Sequence, residues 1–478
     1  MCATPSPKVF TDAETEPPPA TNGGATVPWK PWVAPAHAVP ATKAELGPIN
    51  RPPSARWVPG SGEERRQPIY GIGRNYNRVL GVSAYRTGAS IMLDCSLAST
   101  LSVLQRNIES DVSDPCSTLR LMVQGDQFWY SDATASEIFE MLVIVGNAET
   151  AKAERRNTCP NDAVPVGICV MEDVARPAGC GVGGRCCQAT WLFRHDVIDG
   201  WRALRYLCGT VLGSKSLTLD RLYSRVDSKA VPSALSKAFQ PFIDCATPVC
   251  FAPIALQKVM QVAMVNSTGT RRKFYCHAIC GIERLKTLGL QRGTGTLTST
   301  LTACILDAFF TAEPTKKHAN VASNVLFDAT SPEGNHMCLK VACIARHGFS
   351  MQKTAQILRS TGQKVADLWL AALSRQYVMG KMPESVNSFL DSRQKGLDFL
   401  VSSLPAYDRT SPPVLDLKVS REFTEWAPSI VYALGIGENL YLDFYWEVLH
   451  SFDEDAFCER LSELLETTEI HNRLPEAY

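Results

Sequence analysis

CLKVACIARHGFSMQKTAQIL, residues 338–358, decides how the second half of this chain is read. Residues 340–347 form an apolar run rich in Val, Ala, Cys and Ile, Gly348 interrupts it, and Ser350 stands directly before MQKTAQILRS. A Ser in that position is an N-cap, because its hydroxyl accepts from an amide N–H that the first helical turn leaves without a partner. The stretch therefore predicts an apolar helix, a tight Gly turn and a capped helix. Working outward, residues 301–310 read as a second apolar helix bounded by Pro and polar loops, and Pro428 sits where a first helical turn tolerates it. Helical spacing dominates from Trp191 almost to the end.

Toward the start the pattern changes. From Tyr70 on, YNRVLGVSAY (76–85), then SIMLDCSL, STLRLMVQG and QFWY, are short apolar runs broken by Gly, Ser and Asp, as hairpins require. SEIFEMLVIV (136–145) reads as a helix, and 157–184 as a loop rich in Cys, Pro and Gly. Residues 1–68 hold 14 of the 30 prolines, which predicts a disordered arm. In that arm Trp29, Trp32 and Trp57, interleaved with basic residues, are candidates for docking on a neighbouring subunit. No internal repeat is visible. The expected fold is mainly α, with two helical lobes, a small β element near the start and a disordered Pro-rich N-terminal arm. The expected domains are the arm at 1–68, an N-terminal lobe with the β element and basic helices at 69–298, a helical C-terminal lobe at 299–450, and an acidic tail or helix at 451–478.

Composition constrains the class of molecule. A chain of 478 residues exceeds the ~100–200 of one typical domain, and its 45% hydrophobic and 20% charged residues suit a folded body. Cysteine is frequent but odd in number, 17, and its spacing forms no disulfide framework, which predicts reduced thiols in cytosol or nucleus. Neither a secretory signal nor a membrane span is expected, since the basic start, the h-region and any run of about 18 apolar residues are missing.

The net charge of zero hides a segregation. Residues 200–295 carry 14 Lys plus Arg against 4 Asp plus Glu, whereas 432–478 carry 2 against 11. Such a chain can hold a polyanion in its middle while its end meets a basic partner. The basic segment also has spacing: Arg202 and Arg205 are three apart, Arg221 and Arg225 four apart, so each pair shares a helix face. Lys215, the run Arg271-Arg272-Lys273 beside Phe274 and Tyr275, and Arg284, Lys286 and Arg292 extend it. Cations with adjacent aromatics neutralise phosphates without reading bases.

Motif chemistry is sparse. Cys276-His277-x-x-Cys280 and His336-x-Cys338-x4-Cys343 gather soft ligands, but neither has the paired knuckles of a structural zinc site. No P-loop, HExxH or nucleophile elbow is read, and Gly71-Ile72-Gly73 fails as a dinucleotide loop because Tyr76 takes the third Gly position. A thiol-dependent hydrolase would need one cysteine of depressed pKa near a His. This favours a binding protein over an enzyme, with no cofactor.

Three stretches carry a resemblance. ACILDAFFTAEPTKKHANVASNVLF (303–327), CLKVACIARHGFSMQKTAQIL (338–358) and FTEWAPSIVYALGIGENL (423–440) are similar, in order and spacing, to helices of the nucleoproteins of nonsegmented negative-strand RNA viruses, most of all the rhabdovirus nucleoproteins. The resemblance implies two lobes that clamp single-stranded RNA in a basic cleft, a homo-oligomeric nucleocapsid, a phosphoprotein-like polymerase cofactor as partner, no membrane, and a place in the virion and host cytoplasm or nucleus. It nominates Arg202 and Arg205 as phosphate contacts and Lys316 and Lys317 as a basic loop, with Arg393, Lys395, Lys418 and Arg421 in the last lobe. The family's basic Ser-rich loop is replaced here by SSLPAYDRTSP (402–412). The alternative is a viral regulatory or adaptor protein held by a Cys/His zinc site.

Overall fold

Residues 337–345 form a strand, not a helix, and pair antiparallel with 318–326 along their whole length, Met337 opposite Leu326 and Ala345 opposite His318. In the part of the strand nearest the turn the side chains alternate, Ala342 and Ile344 buried, Cys343 and Ala345 exposed. That period of two belongs to a strand. The capped helix after it is as expected: Ser350 Oγ accepts from the Lys353 N–H at 3.2 Å, ahead of a helix over Met351–Ser360.

The computed structural model describes residues 67–68, 87–115, 117–124, 127–145, 168–175, 185–193, 203, 205–214, 271–326, 337–360, 398–410, 412–421, 429–467 and 469–471. All belong to one unit, Val39–Tyr478. Among them the elements run β1 (Gln67–Pro68), β2 (Thr87–Leu93), α1 (Leu97–Asp111), β3 (Leu121–Gln124), β4 (Gln127–Tyr130), α2 (Ala135–Leu142), β5 (Val143–Val145), β6 (Ile168–Ala175), β7 (Arg185–Phe193), a π-helical turn (Arg205–Val211), β8 (Arg271–Gly281), α3 (Ile282–Arg292), α4 (Leu297–Ala312), β9 (His318–Leu326), β10 (Met337–Ala345), α5 (Met351–Ser360), β11 (Phe399–Tyr407), β12 (Val414–Arg421), β13 (Ile430–Ile436), β14 (Asn439–Leu449), α6 (Glu454–Leu465) and β15 (Glu469–His471).

The strands form a seven-stranded sheet, β10-β9-β11-β13-β14-β8-β15, a five-stranded sheet, β12-β2-β7-β6-β5, and a three-stranded one, β1-β4-β3. β12 is the crossover. It comes between β11 and β13 in the chain, yet pairs antiparallel with β2 at the edge of the five-stranded sheet. The two large sheets are therefore tied together covalently at β12. No helix among the described residues is long and apolar enough to cross a membrane.

The seven-stranded sheet is covered on both faces. From β14, Leu440, Leu442, Phe444, Trp446 and Val448 enter a core shared with α3, α4 and α6, while Tyr441 on the other face joins the core of the five-stranded sheet. Strands buried on both sides read as unbroken apolar runs, and such runs cannot be told from buried helices by periodicity. That ambiguity covers the helix expected at 423–440; at 340–347 the exposed positions of β10, Cys343 and Ala345, are themselves apolar in type, which hides the alternation. Within 423–440, the stretch 429–440 holds β13, a hairpin turn and the start of β14, and the turn has Gly437 at φ +60° as its first central residue. Burying Trp446, Phe444 or Phe457 fully contributes roughly 1.5–3 kcal/mol each, and the rings interlock, Trp446 stacking on Phe399 at 5.0 Å.

The mainly α expectation is thus corrected to an α/β fold with two large sheets. The helix predicted at 301–310 is there as the middle of α4, and SIMLDCSL, STLRLMVQG and QFWY contribute to β2, β3 and β4. The helix at 136–145 is α2 followed directly by β5, and the supposed loop at 157–184 holds β6. YNRVLGVSAY, Pro428 and the arm, save Gln67–Pro68, lie outside the described residues.

Candidate active site

A buried charged cluster joins the two sheets where β12 crosses. On β8, Phe274, Cys276, Ala278 and Cys280 enter the helix-side core, and strand alternation turns Tyr275, His277 and Ile279 to the other face. His277, 1% exposed, is held between two carboxylates: Nδ1 lies 2.9 Å from Asp443 Oδ1 on β14, and Nε2 lies 3.3 Å from Asp416 Oδ1 on β12. The second contact is an ion pair only, since Nε2 lacks a hydrogen-bond acceptor in line. Asp443 also accepts from Tyr275 Oη at 2.9 Å and from the Val419 N–H at 2.8 Å. Asp416 meets Lys418 Nζ at 3.1 Å.

Burial alone would lower the His277 pKa, but the two carboxylates outweigh it and raise the pKa to about 9. For Asp416 burial acts upward, and His277 and Lys418 overcome it, holding the carboxyl below its ordinary value. His277 is therefore an imidazolium at neutral pH. With both ring nitrogens committed it has no lone pair for a substrate proton. Its part is that of a clip between β12 and the seven-stranded sheet.

The cysteines offer little nucleophilic chemistry. Burial pushes the thiols of Cys280 and Cys304 up to about 12 and that of Cys95 to about 11, and raises Cys187 and Cys208 further. Cys458 alone among the described thiols is lowered, through its contact with Cys276. The zinc reading is corrected by the same alternation: Cys276 and Cys280 leave one face of β8 and His277 the other, so the three cannot converge on one ion. Among the described residues no group of three ligands could hold a metal.

Of the basic residues nominated for RNA, those described stand on separate elements. Arg202, Lys215, Arg221, Arg225, Arg393 and Lys395 lie outside the described residues. Arg205 opens the π-helical turn and acts on Asp111 of α1, whose carboxyl burial pushes up. Arg271, Arg272 and Lys273 begin β8, with Arg272 tied to Glu454 and donating to the Phe452 carbonyl at 2.9 Å. Lys316 is paired with Asp398 in a nearly buried contact, and Lys317 is exposed beside it. Lys418 belongs to the His277 cluster, and Arg421 ends β12 opposite Thr87. The acidic end of the chain meets this basic segment itself: Glu454 pairs with Arg272, and Glu466 with Arg284 at 2.9 Å.

One stretch escaped the sequence reading. Two residues past the end of β7 the chain reads His195-Asp196-Val197-Ile198-Asp199-Gly200. These positions lie outside the described residues, but both flanks are fixed. β7 is the central strand of the five-stranded sheet, between β2 and β6. Beyond the hexapeptide, Val211 O accepts from Asn107 Nδ2 of α1, and Ser214 Oγ donates at 2.8 Å to Asp408 O just past β11 of the other sheet. A His placed in the chain just past the end of a rigid strand is a candidate for chemistry. Among the described histidines, His277 is committed, His318, His347 and His450 are exposed, and His471 ends β15 opposite His277. The signal was legible as a His with an Asp four residues on, then Gly; the search for named nucleophile motifs passed over it.

No family profile matches the sequence, and no curated protein is significantly similar to it. Solved structures do share the fold. TRI3 trichothecene 15-O-acetyltransferase from Fusarium sporotrichioides matches with a TM-score of 0.51 at 12% identity, over 84% of this chain and 94% of that one. F. sporotrichioides TRI101, complexed with coenzyme A and T-2, matches with a TM-score of 0.50 at 10% identity, over 84% and 98%. F. graminearum TRI101, complexed with coenzyme A and T-2 mycotoxin, matches with 0.51 at 12%, over 85% and 99%. At such identities the likeness is one of fold.

That fold overturns the nucleoprotein resemblance: β9, β10 and β13 stand within the three stretches where further helices were required, beside the helical parts at 303–312 and 351–358. The expectations that rested on it fall as well: RNA, a nucleocapsid homo-oligomer and a polymerase cofactor as partners, a virion or host-cell location, and a chain that is no enzyme. The zinc adaptor falls with the fold: Cys276, His277 and Cys280 do not converge, and of the second set His336 and the side chain of Cys338 lie outside the described residues.

Proposed function

We propose that this chain is an acyltransferase that moves an acyl group from a thioester donor to a hydroxyl or amine acceptor, with His195 as general base. The observation that carries the reading is His195 directly after the central strand β7, in a fold similar to that of an acetyltransferase and of proteins solved with coenzyme A. Neutral imidazole suits the task, since its ordinary pKa lies near working pH. It takes the proton from the acceptor O–H or N–H as the heteroatom attacks the thioester carbonyl. The tetrahedral oxyanion then collapses, the C–S bond breaks, and the imidazolium returns its proton to the departing thiolate. Asp199, four residues on and directly before Gly200, is the carboxylate we assign to orient the ring.

The test is release of free thiol from acetyl- and longer acyl-coenzyme A thioesters with a panel of alcohols and amines, products identified by mass. Loss of a general base typically lowers the rate about 10²–10⁴-fold, so His195→Ala should abolish acceptor-dependent thiol release while the melting curve stays cooperative. Full activity in His195→Ala, or no transfer by the wild type from any thioester of the panel, would overturn the reading.

A further inference from the structure

Among the described residues a pair of reactive groups stands outside the acyl-transfer reading. Cys276 on β8 and Cys458 on α6 lie with their sulfurs 3.9 Å apart, 182 residues separated in sequence. Cys276 is fully buried in the helix-side core, and Cys458, half-buried at its margin, is reachable from solvent. We propose that this pair is an oxidation site: a hydroperoxide oxidises Cys458, and Cys276 resolves it to a disulfide that staples α6 to the seven-stranded sheet.

The geometry divides the roles. Cys458 is the thiol at the margin of the core and Cys276 the one inside it, either sulfur can donate across the 3.9 Å between them, and the contact lowers the Cys458 thiol while raising that of Cys276. The Cys458 thiolate attacks one oxygen of the hydroperoxide, the O–O bond breaks, and Cys458 becomes a sulfenic acid as the peroxide leaves as an alcohol or water. The Cys276 sulfur then attacks the Cys458 sulfur. Its proton leaves with the sulfenic hydroxyl as water, and the two electrons of the new S–S bond balance those accepted by the peroxide. α6 needs little movement for this, because Phe457, Leu461, Leu464 and Leu465 already fix its inner face in the core. Among the described thiols the rivals are poor: Cys186, Cys187, Cys208, Cys280 and Cys304 are buried, burial raises the thiol of Cys95, and the exposed Cys343 has its thiol raised, by partial burial first and Asp398 second.

The experiment uses the full reduced chain treated with hydrogen peroxide, quenched with an alkylating agent and digested without reductant. The expected product is a peptide pair joined through Cys276 and Cys458, two hydrogens lighter than the sum of its reduced halves and separable with dithiothreitol. Cys458 should be lost several-fold faster than Cys343. In Cys276→Ala, a substitution that keeps the core apolar, Cys458 should instead accumulate as a sulfenic acid trapped by dimedone. Linkage of Cys458 to any other cysteine, or oxidation of Cys458 no faster than that of Cys343, would overturn the assignment. Because the readouts are masses, they stand apart from acyl transfer.

Discussion

Replacing His277 with glutamine removes a positive charge from between Asp443 and Asp416 and keeps a side chain of similar bulk. The structure sets the size of the effect. The His277 pKa is about 9 in the fold against roughly 6.5 in an unfolded chain, and about 2.5 units at 1.36 kcal/mol each give roughly 3 kcal/mol. A breakage cost of about 3–5 kcal/mol for one partner of a buried ion pair is of the same order. The sign follows from proton counting. Between about pH 6.5 and 9 the folded chain holds a proton on His277 that the unfolded chain has released, so stability falls as pH rises. The contribution is complete below about pH 6.5 and gone above about pH 9. The assay is urea unfolding of wild type and His277→Gln at intervals from pH 6 to 10. The difference between them should be largest at the acid end and shrink through the window. A difference that does not change with pH would refute the charged clip and leave His277 as a packing residue.

Other perturbations test neighbouring parts of the argument. Asp398→Asn strips Lys316 of its buried counter-charge and weakens the acceptor for the Asn320 N–H; it should cost about 3–5 kcal/mol in urea unfolding, whereas an exposed basic loop would show almost none. Phe457→Ala opens the centre of the aromatic cluster, where its ring meets Phe274, Phe444, Trp446 and Phe452, and should cost about 3–5 kcal/mol in the same measurement. Thr134→Ala removes the capping box of α2, in which Thr134 and Glu137 satisfy each other's backbone N–H groups, and should lower stability by about 1 kcal/mol.

Local signals were the legible part of this sequence. Ser350 marked its helix correctly because a cap is a property of one side chain and a few neighbouring amides. The hairpin from Leu121 to Tyr130 was legible through short runs broken by turn residues. What could not be read was the covering of the seven-stranded sheet. β8 and β14 place apolar residues on both faces because helices pack on one side and the smaller sheet on the other. Alternation, the mark that separates strand from helix, is erased by that double burial. The crossover of β12 is non-local in the same way: nothing within Val414–Arg421 announces a partner in Thr87–Leu93.

Charge shows the same limit from another side. A basic middle and an acidic end, read along the chain, suggested two outside ligands of opposite sign. In space the basic start of β8 lies against the acidic α6, and register sets Lys273 opposite Glu447 on β14. Much of the segregation is thus a consequence of topology. β8 and β14 are far apart in sequence but adjacent in the sheet, so complementary charges on them must be far apart in sequence too. A segregated charge pattern argues for an external polyanion only after the pairing of the chain with itself has been subtracted, and here Arg272, Arg284 and Lys316 are removed by that subtraction. His195 lies just before that basic segment and is untouched by the subtraction, because its assignment rests on imidazole chemistry just past a central strand and not on the sum of charges.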